Sequence, residues 1–293
     1  MGRGCLRTQP GGKNLDTNGK QTSPLGNAVE VEGARIWVEV AGEGTPVVLL
    51  HPGLWDSRTW DDQWDAFAAR HRVVRYDLRG YGRSDRPSGQ PYSHVRDLFG
   101  VMDAVEMPSA ALVGCSMGGG VALDAALTDP SRVTALVLVA ASLGGNEGTE
   151  EDQREWDERF GAMQGLVGAG ELEQAQEHRL RSWAPLGFGD PAGRRIHDIA
   201  FDNLHDLTMD ESAAEQLDPP AIERLEQVAC PTLVLPADRD PAFSQRESQI
   251  MAARIPRARL VAIPDVDHVI NMRAPGQFNE VVLSFLAEAS RYP

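Results

Sequence analysis

Apolar and polar positions along the chain follow two rhythms. From Val29, VEVEGARIWVEVAG alternates apolar and polar residues, which predicts a half-buried hairpin. PVVLLH (46–51), RVVRYD (72–77), SAALVG (109–114) and VTALVLVAA (133–141) are near-continuous apolar runs instead. Such runs predict strands buried on both faces. Helical spacing separates them: SRTWDDQWDAFAARH puts Trp60, Trp64, Phe67 and Ala68 on one face, and residues 91–106 and 118–127 also read as helices. CPTLVLPAD (230–238) and RLVAIPD (259–265) resume the strands, and a last helix is expected over roughly 274–289. Strands alternating with helices predict an α/β fold, a mostly parallel central sheet with helices on both faces.

Between these two blocks the rhythm breaks. Residues 146–218 hold no convincing strand but three helical patterns, the third with Asp190 as N-cap and Pro191 at the first helical position. This segment has 18 acidic and 6 basic residues, and so carries −12 of the chain's −15 formal charge. The expected organisation is a disordered tail over 1–26, a core built from 27–145 and 219–293, and an inserted helical cap over 146–218.

Composition removes several function classes. An acidic chain repels nucleic acid and anionic membrane surfaces, so neither is expected as a partner. Cys5, Cys115 and Cys230 give no disulfide framework and fit a reducing, cytoplasmic setting. No His/Cys cluster suggests a metal, and no apolar run approaches the ~18 residues of a membrane span. The first residues lack the apolar core of a signal peptide.

The chemistry begins at Gly114-Cys115-Ser116-Met117-Gly118, between a predicted strand and a predicted helix. A serine hydroxyl needs a base and an oxyanion site to act as a nucleophile. A tight strand-to-helix turn lifts it clear of the sheet and demands small neighbours two residues either side. In this architecture the acid and then the histidine follow the serine. Of the later histidines, His178, His197 and His205 fall on helices of the insertion, whereas His268 follows RLVAIPD in a loop at a strand end. Asp238 and Asp240 both end the strand TLVLPA; Asp240, followed by Pro241, is the first choice and Asp238 the fallback. Met117 N–H and a backbone N–H from Gly53 or Leu54 are the expected oxyanion donors. His51 is expected to brace its loop rather than act as base.

With HPGLWDSRTW, YDLRGYGRSDRP, GCSMGG, PTLVLPADRDP and DHVINMRAPGQFNEVVLSFL in place, the chain resembles the serine-nucleophile branch of the α/β-hydrolase fold superfamily over about residues 28–293. Within it the sequence looks most like carboxylesterases and enol-lactone hydrolases. The resemblance implies Ser116 as nucleophile, Asp240 as acid, His268 as base, and no cofactor. It departs from the pattern at His51-Pro52-Gly53, where His-Gly is usual, and at Ala237, where glycine is common. The expected substrate is a small, fairly hydrophobic ester or lactone held near Trp55, Trp156, Phe160 and Trp183 and cleaved through an acyl-enzyme. C–C bond hydrolysis, cofactor-free perhydrolysis or a tailoring step on a secondary metabolite are the alternatives with the same triad. A non-catalytic small-molecule binder is the remaining one.

Overall fold

The computed structural model describes residues 14–15, 21–22 and 27–291. The tail expected over 1–26 lies outside the described residues except for Asn14–Leu15 and Gln21–Thr22, which pair antiparallel. One sheet holds eight strands: β1 (Asn27–Val31), β2 (Ala34–Ala41), β3 (Thr45–Leu50), β4 (His71–Tyr76), β5 (Ala110–Cys115), β6 (Val133–Val139), β7 (Thr232–Leu235) and β8 (Ala258–Leu260). Their spatial order is β8-β7-β6-β5-β3-β4-β2-β1. From β4 to β8 all pairings are parallel, whereas β2 runs antiparallel to both β1 and β4. The β1–β2 hairpin turns at Glu32 and Gly33, both at positive φ (45° and 76°), the turn that matches strand twist.

The apolar runs are continuous because both faces of the sheet are covered. Val48, Leu50, Leu112, Leu136 and Leu138 join one cluster, against α2 (His94–Ala104), α3 (Met117–Thr128) and α7 (Ala242–Arg254). Their neighbours Val47, Leu49, Val113, Val137 and Val139 join the opposite cluster, against α1 (Asp61–Ala68) and α9 (Pro275–Ala289). Each strand thus alternates sides with period two while remaining apolar throughout.

The insertion between β6 and β7 contains α4 (Glu150–Gly168), α5 (Leu172–Trp183) and α6 (Pro191–Asp202). Thr149 and Asp152 form a capping box at the start of α4, and the Asp190 side chain caps α6 with Pro191 next to it, as the sequence predicts. Leu180, Ala184, Ile196, Ile199 and Ala200 pack with Trp55, Val269 and Met272, which seats α5 and α6 on the loop after β3 and on the short α8 (Ile270–Arg273). None of the helices among the described residues is long and apolar enough to cross a membrane.

Candidate active site

Ser116 sits between β5 and α3 with φ 50° and ψ −118°, a conformation that a side chain disfavours. Two glycines make the turn possible. A Cβ on Gly114 would collide with the backbone of Gly118, and one on Gly118 with the carbonyl oxygens of Leu50 and His51. Hydrogen bonds then hold the strain. Ser116 N–H donates to Val139 O at 2.9 Å. The Ser116 carbonyl accepts from Gly120 N (2.9 Å), Ser142 N (3.1 Å) and Ser142 Oγ (3.2 Å). Ser142 escapes sequence reading because nothing in SLGG, after β6, marks its hydroxyl as a brace for a residue 26 positions earlier.

His268 and Asp240 come from loops beyond the ends of β8 and β7 and lie buried beside each other. His268 Nδ1 donates to Asp240 Oδ2 at 2.6 Å; a carboxylate only accepts, so Nδ1 carries the proton and Nε2 is left as the basic nitrogen. Ser244 Oγ donates to the same carboxylate oxygen at 3.2 Å. The other aspartate, Asp238, accepts from Asp265 N (2.8 Å) and Val266 N (2.9 Å), and so stitches the two loops together. Of the two, Asp240 is therefore the one that meets the imidazole. Cys115 Sγ donates to the His268 carbonyl at 3.5 Å, which brings the histidine loop to the elbow. Complete burial pushes the Cys115 thiol well up, so it stays protonated as packing.

The His268 ring lies under Trp183, with 4.3 Å between centroids, and the His268 N–H donates to the Trp183 carbonyl at 3.3 Å. From Trp183 an aromatic series runs outward through Phe160 (5.6 Å) to Trp156 (4.5 Å), flanked by Phe243. Phe160 is buried within the series, and Trp156 is 46% exposed at its outer end. Trp55 is placed differently from the expected pocket wall. It is fully buried in the seam under α6, and its indole N–H donates to Ile196 O at 2.8 Å.

Met117 is the first residue of α3, where the N–H has no partner inside the helix. Gly53 lies beside it: a Cβ there would stand 3.9 Å from Met117 Sδ and 3.7 Å from the Tyr81 hydroxyl. Leu54 takes a positive φ of 71°, so this loop too carries backbone strain. His51 braces it. Nδ1 donates to Pro52 O and Nε2 accepts from Leu78 N, both at 2.8 Å, and burial pulls its pKa down, which keeps the ring neutral. Behind the loop, buried Asn203 donates to Asp56 Oδ2 and accepts from Gly82 N, both at 2.8 Å. Asp267, fully buried next to His268, accepts from Arg273 Nε (3.0 Å) and Leu186 N (3.3 Å), another tie to the insertion. Among the described residues no group of three or more His, Cys, Asp or Glu is arranged to hold a metal.

A strained serine at a strand-to-helix elbow, a buried His–Asp pair at later strand ends and a strained loop facing the elbow form one constellation. The sequence profile of the alpha/beta hydrolase family matches residues 47–281, which spans all of it. The chain belongs to the alpha/beta hydrolase family. Among relatives of this hydrolase, a Caulobacter sp. (strain K31) protein provisionally named carbamate hydrolase RutD is 31% identical over 82% of the chain and 90% of its own length. A 2-hydroxymuconate semialdehyde hydrolase of Pseudomonas sp. (strain CF600) is 36% identical over 43% of the chain, a match that spans 47% of that relative. Among solved structures, Est816, described as degrading N-acyl homoserine lactones, superposes with a TM-score of 0.66 and 29% identity over 88% of this chain and 99% of its own. The enol-lactonase of Burkholderia xenovorans LB400 shares the fold, with a TM-score of 0.71 at 22% identity over 89% and 99% of the two chains.

Proposed function

We propose that this hydrolase cleaves a carboxylic ester or lactone through an acyl-enzyme. Ser116 Oγ attacks the carbonyl carbon as His268 Nε2 takes its proton. The tetrahedral oxyanion is held by Met117 N–H and a backbone N–H of Gly53 or Leu54. Asp240 keeps the imidazole in the useful tautomer and stabilises the imidazolium. The imidazolium protonates the leaving alkoxide, and a water activated by His268 then releases the acid. Residues 146–218 act in this reading as the cap over the site. The observation that carries it is the 2.6 Å bond between buried His268 and buried Asp240 beside the strained elbow.

The test is release of p-nitrophenol from a short-chain p-nitrophenyl ester, with Ser116→Ala in parallel. The reading expects turnover in the parent and a fall of about 10⁴-fold or more in the variant. Equal slow release from both proteins overturns it. A second reading keeps the triad but cleaves a C–C bond; the 36% identity to a 2-hydroxymuconate semialdehyde hydrolase favours it. Product analysis with a vinylogous diketone separates the two.

A further inference from the structure

A cavity of about 550 Å³ opens beside the elbow, along α3. Its floor is one face of α3, with Met117, Gly120, Val121 and Asp124 in helical register, and its walls include His94 and Ser142. Neither the His268 loop nor the aromatic series lines it. In the acyl-enzyme reading, the group that His268 protonates would lie at the imidazole, and this cavity is left for the acyl chain, past Met117 and along α3.

The polar groups of this cavity are unevenly satisfied. Asp124 makes no side-chain hydrogen bond or ion pair among the described residues, although it is only partly exposed. Arg96, at the rim, is spent on Glu32 Oε2 (2.9 Å) and Glu215 Oε2 (2.5 Å). Arg224 acts on Asp124 through its charge without forming an ion pair, its hydrogen bonds going to Leu127 O (2.9 Å) and Gln227 Oε1 (3.1 Å). Burial drives the His94 pKa down to about 4, so this wall is neutral at neutral pH. Glu211 and Asp218 add further negative charge. A cavity whose Asp124 carboxylate forms no ion pair among the described residues, and whose walls hold no uncommitted cation, suits a ligand that brings a cation with it.

We propose that this cavity is the acyl subsite and that it selects acyl chains bearing a cationic nitrogen, with Asp124 as the counter-charge. The proposal rests on the ester chemistry above. Asp124 lies seven residues beyond Met117, about 10 Å along the helix by its rise per residue. That spacing fits a nitrogen five or six carbons from the carbonyl, with the remaining distance bridged by the carboxylate. Burial pushes the Asp124 carboxyl up to about 6, so its own charge is present above that pH and lost below it.

The experiment has two arms. The first compares p-nitrophenyl esters whose hexanoyl chains end in trimethylammonium or in the isosteric tert-butyl group. The expected preference for the cation is about tenfold in kcat/KM, growing as pH rises through about 6. In Asp124→Asn, folded as judged by circular dichroism, the preference disappears at every pH. The second arm titrates heptyltrimethylammonium into wild type and Asp124→Asn by calorimetry, which needs no turnover. Binding about tenfold weaker in the variant supports the cation site. Equal binding, or hydrolysis of both esters without preference, overturns it. If neither ester is turned over but binding still depends on Asp124, the cation site stands and the ester reading falls.

Discussion

The indole of Trp183 covers the imidazole of His268 at 4.3 Å, and its carbonyl accepts the histidine's backbone N–H at 3.3 Å. The last residue of α5 therefore holds His268, the proposed base, both through the ring and through the main chain. Removing the ring leaves the backbone bond but frees the imidazole to rotate. Trp183→Ala is expected to lower kcat for a p-nitrophenyl ester about tenfold, with Trp183→Phe keeping most of the rate. Steady-state kinetics on the two variants check this; equal rates in all three proteins would remove the positioning role.

Asp240→Asn keeps the size of the acid but lets its amide donate to Nδ1. The imidazole is then held in the wrong tautomer, with the proton on the nitrogen that should act as base. The expected loss in kcat is about 10⁴-fold, with the fold intact by circular dichroism. Asp238→Asn is the contrasting variant. It loosens the bonds to Asp265 N and Val266 N and is expected to affect stability more than turnover.

Two glycine substitutions should move stability in opposite directions. A methyl at Gly118 would strike the Leu50 and His51 carbonyls, at and just past the end of the central strand β3, where they cannot retreat. Gly118→Ala is expected to cost about 2 kcal/mol or more. Gly161 lies in the interior of α4, and a Cβ there meets nothing within 4 Å. Gly161→Ala is expected to add about 0.5–1 kcal/mol by helix propensity. Urea midpoints for the two variants decide both.

His94 supplies a pH-dependent prediction. Its Nδ1 is buried without a partner, its ring stands edge-on to Tyr92 at 5.3 Å, and burial pulls its pKa from 6.5 to about 4. Between those values the unfolded chain takes up a proton that the folded one refuses. The stability His94 contributes is therefore complete above about pH 6.5 and is lost as pH falls towards 4. Urea midpoints of wild type and His94→Gln should keep a constant gap above neutrality. The gap should shift against the wild type as the solution is acidified.

Much of the fold is legible because a parallel sheet covered on both faces leaves an unbroken apolar run, as in Val47-Val48-Leu49-Leu50. The elbow is legible too, since only glycine fits beside Ser116 where the backbones touch. The run RLVAIPD is less so: only Ala258–Leu260 pairs as a strand, because an edge strand has a single neighbour and continues here as one bridge, Ile263 to Ala237. Trp55 is hidden for a different reason. An aromatic next to the expected oxyanion loop reads equally as pocket wall or as anchor, and only the position of Ile196 O, 141 residues on, decides it. Ser142 and Asn203 are invisible for the same cause, since their partners are distant in sequence and their residue types are common in loops.

The contacts under α6 bear on how a substrate gets in. Trp55 holds Ile196, Asn203 holds Asp56 and Gly82, Arg58 holds Asp202, and Arg195 holds Asp62. The α6 region and the stretch after β3 thus share one set of fasteners. In the proposed reading of residues 146–218 as a cap, a hinge on this side would drag that stretch out of shape. With residues 146–218 as the proposed cap, passage in and out is expected at the opposite eave, where α4 presents Trp156 to solvent.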